Sequence, residues 1–572
     1  ELLRILQERA RGLGVDLRFG HEVGDLAAFA GYDLIVAADG VNSLVRRELT
    51  ETLRPSVHIG RSRFIWLGTT KVFDALTFLF EESEHGWFGV HAYPYSAAAS
   101  TVIVETDEVT WRRAGFERYA DAALAPGASD LRSVAYCQAL FARHLNGHAL
   151  LANNSKWLNF RTVRNRFWHA RNAVILGDAA HTAHFSVGSG TRMAIEDAIA
   201  LARALADHGD LESALTAYAH ERQPAVRRIQ QAAEPSRRWW ESFRHWTHFG
   251  PEQFAFHHLA RTRLLTYGTL KVRDERAVGE VEAWFARSNG TGRRAARKRT
   301  THERPAAVSP LLTPLRLGDV RFPNRLVAVG PRVLGEGEGL RGAAERPTAR
   351  VGDGAGLLLV GPAHGRAGHR SRPQTRGPAG LYLRNTAADG GPDDSTAGDV
   401  RLARSAARAG FDLLAVECTP SQSALARLAA VRKAWPAGRP LCVHIRAWSD
   451  PEDNQLVDTG LEFARALKAG HADLVAVSGP TGLAARDTER ARVAQIYTSD
   501  LIRNVAGLPT MIIGGLYSVG DLTALILAGR ADMCGWPALA WPGWRSTAGR
   551  AAAHRRGRKQ ARHEGIVQGR RT

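Results

Sequence analysis

With 572 residues, 44% of them hydrophobic and 23% charged, the chain is long enough to bury more than one core and fits a two-domain soluble enzyme. Cys137, Cys418, Cys442 and Cys534 are too few for a disulfide framework and too scattered for a zinc site, and nothing resembles a signal peptide or an 18-residue apolar span. A cytoplasmic protein with no bound metal and no membrane partner is therefore expected. The formal charge of +19 raises nucleic acid as a partner, but much of the excess lies in residues 293–299 and 554–571 and no recognition-helix, zinc-finger or RNP pattern appears. These runs read as solvated or disordered segments, with no nucleic-acid partner.

In chain order, residues 1–14 read as an amphipathic helix (Leu2, Leu3, Ile5, Leu6, Ala10) leading into a strand at Val15–Phe19. Residues 33–38 form an apolar strand that ends in Asp39-Gly40, followed by a short basic segment with Arg46. Residues 57–107 hold short aromatic and β-branched runs that suit a sheet, and the Trp66, Trp87 and Phe88 cluster reads as sheet core rather than aryl pocket. Ala173-Val174-Ile175-Leu176 lacks alternation, as a strand covered on both faces does, and stops at Gly177-Asp178, where a carboxylate can meet a ligand hydroxyl. Beyond Gly188-Ser189-Gly190, with Ser189 or Thr191 as cap, the residues Met193, Ile195, Ala198, Ile199, Ala202 and Leu205 recur at helical spacing. The N-terminus of that helix carries partial positive charge and could stabilise the charge on a reduced flavin. Residues 191–245 read as mainly helical, and Arg237-Arg238-Trp239-Trp240 with Arg244 is either a phosphate-capturing site or an exposed helix face.

The ordered pair, Asp39-Gly40 and then Gly177-Asp178, resembles two internal fingerprints of the FAD-dependent aromatic hydroxylases related to p-hydroxybenzoate hydroxylase; the plain alternative is two ordinary strand-to-turn junctions. The resemblance implies that Gly177-Asp178 binds the ribityl chain, that Asp39, Gly40 and Arg46 lie near the pyrophosphate and nicotinamide donor, and that Gly188, Ser189, Gly190 and Thr191 lie beside the isoalloxazine. Most such hydroxylases carry Pro-Pro where this chain has His184-Phe185. That variant, with Arg63–Thr69 and Glu84–Phe88, resembles the salicylyl-CoA 5-hydroxylase and 2-aminobenzoyl-CoA monooxygenase/reductase group. His181 and His184 are the candidate catalytic groups, with packing or hydrogen bonding as the alternative role. The family's first βαβ unit, with its G-x-G-x-x-G turn, would precede Glu1, so the chain reads as a fragment; Gly335–Gly339 does not replace that turn.

A Pro/Arg-rich break near 288–310 precedes a second region in which apolar strands alternate with helical stretches at barrel-like spacing. Pro310–Arg325, Ala409–Leu414, His471–Ser478 and Ile502–Gly515 resemble the old yellow enzyme family of FMN-dependent (β/α)8 barrels. Gly514-Gly515 is either a phosphate-accepting strand end or a tight turn. Against that family, Glu417-Cys418 is followed almost directly by a helix at 421–433, and Val443-His444-Ile445 replaces a flavin-contacting Val-Arg-Ile, with Arg446 on the face opposite Ile445. Gly535-Trp536-Pro537 replaces a phosphate-binding Gly-Arg, and 331–398 is poor in apolar runs, so its strands are doubtful. A degenerate barrel with weak or no FMN binding is expected.

The expected architecture is thus α/β and α+β: an FAD-dependent hydroxylase fold lacking its first βαβ unit over 1–280, a basic linker at 281–308, a degenerate (β/α)8 barrel at 309–545 and a basic disordered tail at 546–572. The resemblance implies that NADH or NADPH reduces FAD, oxygen forms a C4a-hydroperoxide, and an aryl-CoA ring is hydroxylated beside a fused NADH:flavin oxidoreductase-like domain. The alternative is a degenerate, non-catalytic flavoprotein fragment or scaffold. The oligomeric state stays open, a dimer included.

Overall fold

The computed structural model describes residues 2–120, 125, 127–262, 266–289, 309–330, 355–360, 377–383, 394–448, 454–470, 472–479, 488–514 and 518–537. The basic run 293–299, the tail 546–572, Gly335–Gly339 and Gly515 lie outside them. The chain divides into two compact units, residues 1–244 and 245–572.

The first unit opens with α1 (Leu2–Gly12), which buries none of its residues; Leu2, Leu3, Ile5 and Leu6 are exposed. Residues 15–19 pair with nothing in a sheet, so the strand expected there does not form: alternation alone supplies no partner for the backbone groups. Strand β1 (Ile35–Ala37) precedes α2 (Leu44–Glu48) and the fifteen-residue β2 (Pro55–Thr69). Next come β3 (Thr77–Ser83), β4 (Gly86–Pro94), β5 (Ser100–Thr106), β6 (Leu150–Ala152) and β7 (Leu158–Asn165). These form an antiparallel sheet in the order β3-β4-β5-β2-β6, with β7 also paired to β2. A smaller sheet, in the order β1-β9-β8, is made with β8 (His169–Ala170) and β9 (Ala173–Ile175), and β1 runs parallel to β9 with Ala37 beside Ile175.

The large sheet is covered on both faces. Ile65, Leu67, Phe88, Val90, Val102 and Val104 point into one core with Trp111, Cys137 and Phe141. The opposite face carries Phe78, Phe80, His91 and Glu105, onto which the end of a long helix folds Trp239, Trp240 and Phe243. The Trp66, Trp87 and Phe88 cluster is therefore not one core: Phe88 is fully buried, Trp87 is half-buried, and Trp66, one residue out of phase with Ile65 and Leu67, is 45% exposed. Gly89 makes room for the helix, since a Cβ there would stand 2.7 Å from Trp240 Cζ3.

Two helices complete this unit, α3 (Gly190–Asp207) and α4 (Leu211–Ser242). The buried stripe of α3 is Met193, Asp197, Ala200, Leu201 and Ala204, while Ile195, Ile199 and Leu205 from the expected apolar set are exposed. Helix α4 runs through Pro224 and Pro235, each of which removes a backbone donor; burial of Tyr218, Val226, Ala233 and the tryptophans offsets that loss. Arg237 and Arg238 are neither a surface site nor an exposed face: both are buried and ion-paired with Glu234 or Glu241, and Arg244 donates to Asp107 at 2.8 Å.

The second unit begins with α5 (Pro251–Leu259), α6 (Tyr267–Arg273) and α7 (Glu275–Ser288). Phe256, Leu270, Val278, Val281 and Phe285 of these helices share one apolar cluster with Leu326, Ile512 and Leu522, so residues from 251 onward pack with the barrel. A hairpin of β10 (Leu315–Leu317) and β11 (Val320–Phe322) leads into eight parallel strands: β12 (Leu326–Val329), β13 (Leu357–Val360), β14 (Ala379–Leu383), β15 (Leu413–Glu417), β16 (Leu441–Arg446), β17 (Leu474–Ser478), β18 (Thr510–Ile513) and β19 (Met533–Pro537). They close into a barrel, β19 returning to β12. Val327, Leu357, Leu413, Cys442, Leu474, Met511 and Met533 fill its interior. The strands doubted over 331–398 are present as β13 and β14: runs of four and five residues suffice when both faces are covered. All four cysteines are free and buried, and among the described residues no helix is long and apolar enough to cross a membrane and no His/Cys/Asp/Glu cluster is arranged for a metal.

Candidate active site

The parallel pair β1 and β9 ends at two loops, the usual place for a ligand on such strands. After β9, Gly177 adopts φ +57°, a left-handed conformation that favours glycine, and a Cβ there would stand 3.2 Å from Ala194 Cβ. The second constraint comes from α3 passing close behind the turn. The turn is pinned by Asp197, whose Oδ2 accepts the Gly177 N–H at 3.1 Å and lies 2.6 Å from His181 Nε2. Its Oδ1 accepts from Arg222 Nε at 2.8 Å. Burial works against the Asp197 charge, but the hydrogen bonds from His181 and Arg222 outweigh it and hold the carboxyl below its ordinary range.

Asp178 differs from Asp197. It is exposed and makes no hydrogen bond to a described residue, which leaves both oxygens for a ligand. Crowding by neighbouring atoms raises its pKa, with His181 opposing.

After β1, Gly40 takes φ +79° and Asp39 Oδ2 accepts the Leu44 N–H at 2.7 Å, so this carboxylate caps α2. Ser43 Oγ accepts the Arg46 N–H at 3.0 Å. Arg46, buried, donates from Nη1 to Ala179 O at 2.8 Å and from Nη2 to Val41 O, clamping the first loop to the second. Gly188, with φ +61°, and Ser189 lead into α3 at Gly190; Ser189 makes no side-chain cap and Thr191 is exposed, so the first N–H groups of α3 are open. Asp39 to Arg46, Gly177-Asp178 and Gly188 to Thr191 are thus gathered at one edge. Gly514, with φ +79°, follows β18 in the other unit.

The segment between the second loop and α3 lies against the large sheet. His181 is buried, bonded to Asp197 and tilted on Trp168 with ring centroids 5.1 Å apart. His184 is also buried: Nδ1 lies 2.8 Å from Ser186 Oγ, and Nε2 lies 3.6 Å from Glu105 Oε1. Phe185 reaches the sheet face, 5.0 Å from the Phe64 ring and 6.0 Å from that of Trp66. Sequence reasoning missed Asp197, Glu105 and His91. A carboxylate interrupting the buried stripe of α3 would have signalled the first; the other two meet only through strand pairing.

The FAD binding domain family model matches residues 31–233, a span that holds both loops and the sheet. The chain is 34% identical over 268 residues to protodeoxyviolaceinate monooxygenase of Chromobacterium violaceum, covering 46% of this chain and 69% of that protein. It belongs to the FAD-binding monooxygenase family. Within this family it is 43% identical over 364 residues to salicyloyl-CoA 5-hydroxylase of a Streptomyces species (63% of this chain, 66% of that one). To 3-hydroxy-4-methyl-anthranilyl-[aryl-carrier protein] 5-monooxygenase of Streptosporangium sibiricum it is 39% identical over 238 residues (42% and 61%). The chain thus spans just under two thirds of the length of these last two relatives.

The residues present fit the riboflavin side of an FAD. Asp178 offers an uncommitted acceptor to ribityl hydroxyls, Gly188 and Gly190 leave open space for close backbone approach, and the open N-terminus of α3 suits a negatively charged ring edge.

Proposed function

We propose that this chain hydroxylates an aromatic ring carried as an acyl thioester, of the salicyloyl-CoA or 2-aminobenzoyl-CoA kind, using FAD, NADH or NADPH, and oxygen. The observation that carries the reading is the open Asp178 carboxylate at the end of β9, in a chain that sets Phe64, Trp66 and Phe185 on one sheet face and is 43% identical over 364 residues to a salicyloyl-CoA 5-hydroxylase. Bound FAD would supply reduction by the nicotinamide and activation of oxygen. Asp178 and the glycine turns hold the cofactor, Arg46 fixes the two loops to each other, and the aromatic face seats the ring and excludes water. His181 orients the turn through Asp197, and His184 lies behind the ring site. The barrel is a fused oxidoreductase-like domain whose mouth has lost the FMN-contacting arginine, His444 standing in its place.

The test is FAD loading, desalting and an absorbance spectrum, followed by NADH oxidation with salicyloyl-CoA and 2-aminobenzoyl-CoA. Retained FAD and thioester-stimulated oxidation are expected. Asp178→Ala removes an acceptor worth roughly 1.5–3 kcal/mol, so FAD should bind about 10- to 100-fold more weakly. Unchanged affinity would overturn the assignment of Asp178, and no retained flavin in the parent chain would favour a non-catalytic scaffold.

A further inference from the structure

The sheet face that carries Phe64 and Trp66 does not end at those rings. Regular pairing of Arg63 to Thr69 with β5 keeps Phe64, Trp66 and Gly68 on one side, and registered partners in antiparallel strands share that side. Phe64 stands opposite Leu158 of β7 and Gly68 opposite Leu151 of β6, so both leucines lie on the aromatic face. Trp66 sits between them, where the partner of β2 changes from β7 to β6, and Ser155 Oγ donates to its carbonyl at 2.6 Å. The strip is open to solvent: Leu158 is 52% exposed, Trp66 45% and Leu151 41%. Apolar residues scattered singly over a surface need no explanation, but three large ones on one stretch of a sheet face point to something that covers them.

We propose that Leu151, Leu158 and the outer part of Trp66 seat the pantetheine arm of the aryl thioester, and so select a thioester over the free aryl acid. This rests on the aryl-thioester reading above and deepens it. The strip is continuous with the proposed ring site, because Phe185 packs on both Phe64 and Trp66. Its chemistry is neutral: Phe64, Trp66, Gly68, Leu151 and Leu158 carry no charge, and the residues facing them across β5 are Thr101, Ile103 and the fully buried Glu105. A flexible chain of methylenes, methyls and amides suits such a strip; a charged partner finds no counter-charge on it. Strand β6 is three residues long and the last on its path, so its outer backbone groups meet no strand among the described residues and are free to pair with amides of the arm.

The arm covers side chains that stay wet when a free acid binds, and covering two half-exposed leucines corresponds to on the order of tenfold in affinity. The gain belongs in KM and not in kcat, because the arm is held alike before and during the change at the ring. Leu151 and Leu158 are therefore specificity residues. Trp66 borders ring and arm together, so the two leucines separate the roles better than the tryptophan does.

The test uses the FAD-loaded chain with the salicyloyl thioesters of CoA, of pantetheine and of N-acetylcysteamine, the last of which keeps only the sulfur end of the arm. Parent, Leu158→Ser and the double variant Leu151→Ser with Leu158→Ser are compared; both positions are exposed, so folding is retained. The double variant should raise KM roughly tenfold for the CoA and pantetheine thioesters, with KM for the N-acetylcysteamine thioester and kcat for all three within about twofold of the parent. Equal losses with all three thioesters, or none with any, would overturn the proposal. Sedimentation of parent and double variant reads the other occupant of such a strip: a dimer that the double variant loses, with KM unmoved, makes it an interface between copies and also overturns the proposal. A second arm needs no turnover. Equilibrium dialysis of salicyloyl-pantetheine without NADH should give a Kd roughly tenfold lower for the parent than for the double variant. Binding that follows the leucines in a chain that hydroxylates none of the thioesters keeps the arm site and removes the hydroxylase reading; hydroxylation with KM and Kd indifferent to the leucines keeps that reading and sinks the arm site.

Discussion

Asp197 is the residue on which the flavin-side turn depends, because one fully buried carboxylate serves a backbone N–H, an imidazole and a guanidinium at once. Removing one partner of a buried ion pair leaves the other uncompensated, at a cost of roughly 3–5 kcal/mol, whereas replacing both partners by apolar groups of similar shape costs far less. Arg222 keeps Glu196 at 2.9 Å from Nη2, so Asp197→Ala should destabilise the first unit by roughly 3 kcal/mol, the low end of that range, in denaturant unfolding, and the double variant Asp197→Leu with Arg222→Met should recover part of the loss. A double variant that is the sum of its singles would show that the pair is not coupled. The same carboxylate has a sign under acid. Its folded pKa is depressed, so its contribution is present above the unfolded value of about 3.9 and disappears as the pH falls through the folded value.

At the scale of elements, the turn from β9 into α3 is where backbone and packing demands coincide. Gly177→Ala places a side chain at φ +57° and 3.2 Å from Ala194, so a loss of about 1–3 kcal/mol is expected, with weaker FAD retention than an equally destabilised variant elsewhere. Thermal unfolding paired with flavin titration checks it, and full retention at lowered stability would separate the turn from the cofactor. This turn was legible in the sequence because an apolar run, a glycine, an acid and the helix that follows are all local. The faces of β2 were not: Phe64, Ile65, Trp66 and Leu67 are all apolar, so period-two alternation is silent about which side is core. In α3, Ile195 and Ile199 outvote Asp197 on hydrophobicity alone, and only the partners His181 and Arg222 explain why a carboxylate is buried there. Glu105 of β5 meets Ser62 of β2 at 2.6 Å, His91 of β4 at 3.2 Å and His184 at 3.6 Å, positions joined by sheet pairing that no local pattern records. In the barrel, the closed ring required β13 and β14 from short runs set among glycines and arginines, where length and composition gave little signal.

For the molecule as a whole, the second unit combines an ionised buried carboxylate, Asp500, with two buried histidines held neutral, and acid should act on it first. In the first unit the buried carboxylates are stabilised in the ionised form, Glu105 down to about 2, so their contribution survives until the pH is well below 4. In the second unit His257 and His444 are buried in the neutral form. Burial lowers each to about 4; Asp500 opposes this at His257 and Glu417 at His444, while Arg530 adds to it at His257 and Arg446 at His444. A depressed histidine costs nothing above its unfolded value of about 6.5. Below it the unfolded chain binds a proton that the folded chain refuses, and the loss grows to on the order of 3 kcal/mol per group by pH 4. Set against a typical stability of about 5–15 kcal/mol, two such groups remove on the order of 6 kcal/mol by pH 4, a large share of what keeps the barrel unit folded. Hydrogen exchange read peptide by peptide between pH 7 and pH 4 should show protection falling first in β16 and in the Pro251–Leu259 helix, with β4 and β5 retained. His257→Gln, which cannot titrate in this range, should flatten the decline in the second unit. Loss of protection in β5 ahead of β16 would mean that the buried carboxylates, not the buried histidines, set the acid limit of this chain.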